Sequence, residues 1–252
     1  MIMIQKKDSF TFDTIKSMKL KPESWQGKIF LTFDMDWASD DVLSSVLNIL
    51  DERELRATFF VTHQTPLLKR MRSNPRIELG IHPNFNHLLN GELKEGRDFR
   101  EVIQRLLTIV PESVSVRSHS LAQSSVILNT FSEFEQKYDC SHFIPYRSRL
   151  RLRPWLHYDL KLIRIPFFWE DSIYLAYDDN TSVESLKRAP GLKVFSFHPI
   201  HLFLNTERLD RFEESKKFIH DFKGLTELRN KKRGTASFFF DLIGRNDDLD
   251  RK

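Results

Sequence analysis

Apolar and polar positions along this chain follow two periods, and the period switches repeatedly. The run 28–36 (KIFLTFDMD) is rich in β-branched and aromatic residues and predicts a strand. Val42, Val46, Ile49 and Leu50 then mark one face of a helix. Ser39 stands at its N-cap position, with Asp40 and Asp41 in the first turn, where negative charge is favoured. The alternation continues with a strand at 57–62 (ATFFVT), a short helix at 65–71 and a strand at 77–81 (IELGI). A helix at 98–110 rests on Phe99, Val102, Ile103, Leu106 and Leu107, followed by a strand at 114–117 and a helix at 123–138. Beyond Cys140 the pattern thins to strands at 162–165 and 192–197 and a charged amphipathic helix at 206–222. Strands alternating with helices predict a parallel α/β sheet, either open or closed into a barrel.

No internal repeat or linker interrupts this pattern. Residues 1–27 read as a polar lead-in with a short helix near 13–18, 28–244 as one barrel domain, and 245–252 as a frayed tail. A length of 252 residues suits one large domain. The 22 Phe sit mostly in short apolar runs, so core packing is their first reading. A net charge of +4 over this length does not call for nucleic acid, and Lys231-Lys232-Arg233 reads as a solvated turn. The single cysteine, Cys140, excludes an internal disulfide and a Cys-based zinc site. The first ten residues lack the apolar run of a secretory signal, and no stretch has the ~18 apolar residues of a membrane span. A reducing, cytoplasmic location is therefore expected.

Polar residues gather where the predicted strands end: Asp34 and Asp36 on the first, His82 on the third, Arg117 on the fourth and His198 after 192–197. In barrels and open α/β sheets that edge is where active sites are built. Asp34 and Asp36, two apart on a strand, share a face, and two close carboxylates repel unless a cation lies near them. A bound metal would leave one as ligand and the other as base; a solvated Asp-x-Asp loop is the plain alternative. GIHPNFNH adds His82, Asn84, Asn86 and His87 as possible ligands, and FSFHPIH places His198 and His201 after an apolar strand.

In these residues the chain resembles the polysaccharide-deacetylase superfamily, which shares the NodB homology domain of carbohydrate esterase family 4. Within it the chain is similar to a branch associated with bacterial surface-polysaccharide (O-antigen) gene clusters. The resemblance spans about 28–204. LTFDMDW resembles the first motif, a general base followed by a metal ligand; ATFFVT resembles the strand after the first helix. ELGIHPNFNH resembles the second motif, two His ligands four residues apart. VRSHSL resembles the third, whose Arg pairs with the catalytic Asp. IPFFWED resembles the fourth, a Trp wall and an acidic partner, and VFSFHPIH the fifth, the catalytic His.

The resemblance implies a distorted (β/α) barrel of about seven strands. It also implies a metal-dependent hydrolase removing an acetyl or formyl group from the nitrogen of an amino sugar in surface-glycan synthesis. Asp34 is then the base, Arg117 its partner and His198 the acid, with Asp171 and Trp169 in support; Asp36 and His82 hold the metal. Two departures stand out. The residue four after His82 is Asn86, with His87 one further on, and Ser118 and His119 follow Arg117 where the family usually has Pro and Gly. We expect Asn86 to complete the site, because Pro83 restricts a shift of the chain. A site completed by His87, or a weakened site, stays open. The metal is expected to be zinc, with cobalt, nickel, iron or manganese as alternatives. The expected partner is a nucleotide- or lipid-linked amino sugar. A non-catalytic carbohydrate-binding relative is the rival reading.

Overall fold

Strands form where β-branched and aromatic residues cluster, and the six that the sequence predicts start and stop within about two residues of the expected places, while the strands Thr11–Asp13, Tyr138–Phe143, Trp155–Leu156 and Trp169–Glu170 are additional. The computed structural model describes residues 10–158, 161–177 and 180–244. Residues 1–9 and the expected tail at 245–252 lie outside the described residues. The strands are β1 (Thr11–Asp13), β2 (Lys28–Asp34), β3 (Ala57–Val61), β4 (Ile77–Ile81), β5 (Ser115–Val116), β6 (Tyr138–Phe143), β7 (Trp155–Leu156), β8 (Ile163–Phe167), β9 (Trp169–Glu170) and β10 (Val194–Phe197). They pair in the order β7-β8-β6-β5-β4-β3-β2-β10-β9, with β1 alongside β2. Every pairing is parallel except β7 with β8.

β8 pairs with β6, and β9 pairs with β10. Only Phe168 separates β8 from β9. One short stretch of chain therefore binds both flanks of the curled sheet, which makes the expected distorted barrel. β2, β3, β4, β5, β6, β8 and β10 form its parallel wall.

Alternation sorts side chains to the two faces of that wall. Phe33 and Phe59 stack outside at 4.9 Å between centroids, and Phe197 and Phe239 meet at 5.2 Å. The helix Thr235–Ile243 lies over them and adds Phe238, whose ring stacks on Trp169 at 4.2 Å. Fully burying one such ring contributes roughly 1.5–3 kcal/mol. The helix Asp40–Glu52 buries Val42, Leu43, Val46, Leu47 and Leu50. Ser39 is its N-cap residue, although the Ser39 hydroxyl accepts no capping hydrogen bond.

The inner face is far more polar. Low in the barrel, Glu78 accepts hydrogen bonds from Thr58 Oγ1 (2.8 Å), the Lys16 backbone (2.8 Å) and the Ser115 hydroxyl. The Ile15 backbone donates to Thr58 Oγ1 at 3.0 Å. The segment read as a polar lead-in thus docks on the bottom of the barrel through β1 and a 3-10 turn at Ile15–Ser17.

The second half departs from expectation. The helix predicted at 123–138 is only Ser125–Glu133. Glu135 adopts φ 56°, the left-handed conformation that ends helices, and the chain then enters β6. The amphipathic helix predicted at 206–222 breaks into Leu209–Ser215, a 3-10 turn at Lys216–Phe218 and Phe222–Glu227. Thr206 is instead buried, its carbonyl accepting from Thr235 Oγ1 at 2.9 Å. No helix among the described residues is long and apolar enough to cross a membrane.

Candidate active site

The top of the barrel collects the strand-end residues. Asp34 ends β2, while His82, Arg117 and His198 each follow the last residue of β4, β5 and β10. β2 stops at Asp34, so Asp36 lies in the turn just beyond the strand rather than on it; the two carboxylates have different partners, and three groups of contacts result.

The first group surrounds Asp34. Arg117 is fully buried and donates from Nη1 to Asp34 Oδ1 (2.9 Å) and to Ser196 Oγ (2.7 Å). Arg117 Nε donates to the Cys140 carbonyl at 3.1 Å. The guanidinium lies over the rings of Phe60 and Phe167, each 4.6 Å away. A buried charge needs this much compensation. Arg117 Nη2 has no hydrogen-bond partner among the described residues.

The second group surrounds Asp36. Its Oδ2 lies 3.0 Å from His82 Nε2 and 2.7 Å from His119 Nδ1. Burial alone would raise the Asp36 pKa, yet the two imidazoles hold it well below the usual carboxylate range. Two imidazole nitrogens and a carboxylate oxygen, all within 4.8 Å of one another, form a donor set that suits a divalent transition metal. His82 Nδ1 is buried without a hydrogen-bond partner, 3.9 Å from Asp34 Oδ1.

Asn86 and His87 have other hydrogen-bond partners. The Asn86 amide donates to the Ser120 hydroxyl at 3.0 Å, and His87 Nδ1 faces Glu92 at 3.0 Å. His119 offers a third donor beside Asp36 and His82, which sequence reasoning missed. The signal was there: His119 lies two residues past Arg117, just beyond a strand end, and had been read only as a departure from Pro-Gly. Its backbone N–H bonds the Pro83 carbonyl at 2.9 Å, tying the two loops that carry His82 and His119.

The third group surrounds His198. Its Nδ1 lies 2.7 Å from Asp171 Oδ1, and its backbone N–H donates to Asp171 Oδ2 at 2.6 Å. Burial would lower the His198 pKa, but the Asp171 carboxylate outweighs it and pushes the imidazole up to about 10. His201 is buried beside this pair. Burial pushes its pKa down to about 4, so it is neutral. The Ser172 hydroxyl lies 3.3 Å from both His198 Nδ1 and His201 Nε2. Glu170, in register with Ser196, is the next residue out; burial pushes its carboxyl up to about 7.

The two tryptophans divide. Trp37 is 40% exposed, adopts φ 57° and stacks on His198 at 5.2 Å between ring centroids. Trp169, expected as a wall of the site, is 4% exposed and packs against Phe238 in the outer layer.

A family model described as WbmS-like polysaccharide deacetylase matches residues 31–216. The chain is similar to the crystal structure of a candidate polysaccharide deacetylase, described as involved in O-antigen biosynthesis, from Bordetella bronchiseptica. The identity is 41%, 92% of this chain and 97% of that chain are covered, and the TM-score is 0.88. A family 4 carbohydrate esterase from Streptomyces lividans in complex with acetate aligns at 15% identity over 69% of this chain and 80% of that one, with TM-score 0.45. A candidate polysaccharide deacetylase from Mycobacterium smegmatis aligns at 19% identity over 68% and 77%, with TM-score 0.44. No curated protein matches the chain.

Proposed function

The chain belongs to the WbmS-like polysaccharide deacetylase family, and from that premise we propose that it is a metal-dependent hydrolase of the N-acyl amide of an amino sugar. The observation that carries this reading is the division of labour at the end of β2: Asp34 pairs with Arg117, and Asp36, two residues further on, faces His82 and His119. Asp36, His82 and His119 are the residues that would hold the cation. When bound there, a divalent metal supplies polarisation of the acyl oxygen and acidifies water.

The remaining steps belong to the chain itself. Arg117 fixes Asp34 through Oδ1, leaving Oδ2 to take the proton of the attacking water. The water oxygen bonds to the acyl carbon. His198, charged at neutral pH and held through Nδ1 by Asp171, gives its Nε2 proton to the departing nitrogen as the C–N bond breaks. Carboxylic acid and free amine are the products. Trp37 covers His198 and offers an apolar face to a sugar ring.

The described role of the Bordetella relative in O-antigen biosynthesis supports a surface-glycan precursor as substrate. A nucleotide- or lipid-linked amino sugar bearing an acetyl or formyl group fits that role. With His119 as third donor, Asn86 no longer favours a non-catalytic relative. Metal content and acetate or formate release from acylated amino sugars test the reading together. His119→Ala should lose the metal and turnover, whereas Asn86→Ala should keep the metal. Metal retained by His119→Ala and lost by Asn86→Ala would return the third position to Asn86. Wild-type protein that takes up metal yet hydrolyses no acylated amino sugar would overturn the enzymatic reading.

A further inference from the structure

His201 is buried, and none of the deacetylation steps uses it. It sits in the short helix Pro199–Leu204 that follows His198. Its Nδ1 lies 3.2 Å from Thr206 Oγ1. Donation from Nδ1 to that hydroxyl leaves a lone pair on Nε2, which faces Ser172 beside the Asp171–His198 pair. An imidazole held by its other nitrogen in this way is the usual form of a metal-ligating histidine.

A second donor set converges around that nitrogen. One nitrogen each of His198 and His201 and one carboxylate oxygen of Asp171 lie within 4.8 Å of one another, and all three residues are buried. The Ser172 hydroxyl stands 3.3 Å from both His198 Nδ1 and His201 Nε2, where a fourth donor would be. Donors bound at roughly 2.0–2.2 Å to a tetrahedral ion stand about 3.3–3.6 Å apart. The contact that has to widen is the 2.7 Å between His198 Nδ1 and Asp171 Oδ1. The carboxylate is already oriented, with Oδ2 accepting from the His198 backbone at 2.6 Å and Oδ1 from the Ser172 backbone at 2.8 Å. One carboxylate, two imidazoles and a hydroxyl suit zinc or cobalt.

We propose that Asp171, His198 and His201, with the Ser172 hydroxyl beside them, form a second site for a divalent transition metal, and that filling it switches off the acid. The ion takes the place of the hydrogen bond between His198 and Asp171, and the Nδ1 proton is released to solvent. His198 then keeps only its Nε2 proton. Losing that proton would leave a metal-bound imidazolate, so His198 is a far weaker acid than the imidazolium. Asp36 and His119 are part-exposed and fill first, so metal beyond a single equivalent is the inhibitor. The inhibition rests on the deacetylase reading, whereas the ion site can be tested without turnover. Equilibrium dialysis of the chelator-stripped full chain against Zn²⁺ or Co²⁺, with elemental analysis, counts the ions. Wild type should take up two. His82→Ala with His119→Ala should keep one. Adding His201→Gln should weaken that one by more than about 100-fold, beyond the cost of an outer-shell change. Ser172→Cys should tighten zinc and add a thiolate-to-cobalt charge-transfer band, a gain that a misfolded variant cannot produce. Excess zinc should lower turnover in wild type and not in His201→Gln, each measured against its own rate at a single equivalent. A wild type that binds one ion, or a second ion indifferent to both His201→Gln and Ser172→Cys, would overturn the site. Turnover unaffected by the second ion would overturn its inhibitory role. Two ions bound, with no hydrolysis of any acylated amino sugar at a single equivalent, would instead count against the deacetylase reading alone.

Discussion

At the scale of single residues, Asp34 and His201 have the clearest consequences. Asp34→Asn keeps the shape of the side chain and its contact with Arg117 but cannot accept a proton. We expect metal content to stay near normal and turnover to fall by about 10²–10⁴-fold; near-normal rates would remove Asp34 as the base. His201 acts through pH. Its folded pKa of about 4 lies below the ordinary imidazole value of 6.5. Between those values the unfolded chain binds a proton that the folded chain refuses. Stability is therefore full above pH 6.5 and is lost as pH falls toward 4, with a slope approaching about 1.4 kcal/mol per pH unit. In His201→Gln the urea midpoint should change less between pH 7 and pH 5 than in wild type; an equal change would show that other groups set the acid sensitivity. Most of the residues at the barrel's top were legible in the sequence because each sits at a strand end. Arg117, Asp171 and His198 meet their expected neighbours at the distances given above. His119 was overlooked because the family pattern drew attention to the residues after His82, and no sequence spacing says that two loops will meet across a barrel.

At the scale of elements, legibility followed amphipathicity. β2, β3 and β4 are built from Phe, Ile, Val and Leu, and their bounds were read to within two residues. β6, YDCSHF, was missed because its polar residues point to partners rather than to water. Asp139 pairs with Arg164 Nε at 2.5 Å, and Ser141 Oγ accepts from the Ser118 backbone at 2.9 Å. A strand whose inner face is polar carries none of the usual apolar alternation. β4 makes the opposite demand at Gly80. A Cβ there would come within 2.6 Å of the Ser115 carbonyl and 2.8 Å of the Phe60 ring. Because backbone cannot yield as a side-chain tip can, Gly80→Ala should push β4 and β5 apart and cost roughly 1–3 kcal/mol. Chemical denaturation measures this directly, and a cost near zero would mean that the β4–β5 spacing is soft.

At the scale of the whole molecule, the barrel is stoppered below and reactive above. Glu78 receives Lys16, Thr58 and Ser115 at the base, while Asp34, Asp36 and His198 face the other mouth. Glu78→Ala strips the buried Thr58 and Ser115 hydroxyls and the part-buried Lys16 N–H of their acceptor, each buried hydroxyl worth about 1–3 kcal/mol when left unsatisfied. We expect a clear fall in the urea midpoint, with residues 10–27 becoming the first site of proteolysis; unchanged digestion would separate the lead-in from the barrel's stability. The stretch 163–170 has a further consequence, for evolution. Its eight residues hydrogen-bond to one flank of the sheet through β8 and to the other through β9, with Phe168 as the sole spacer. Phe167 must face inward to reach Arg117, and Glu170 must face the same interior. Adding or removing one residue reverses the facing of everything beyond it. The length of this stretch should therefore be under constraint, whereas the loop around Leu93, which is exposed, should tolerate insertion. A glycine inserted after Phe168 should abolish cooperative unfolding or turnover, and the same insertion after Leu93 should be silent; relatives of this barrel should then differ in the length of such loops and agree in the length of the closure.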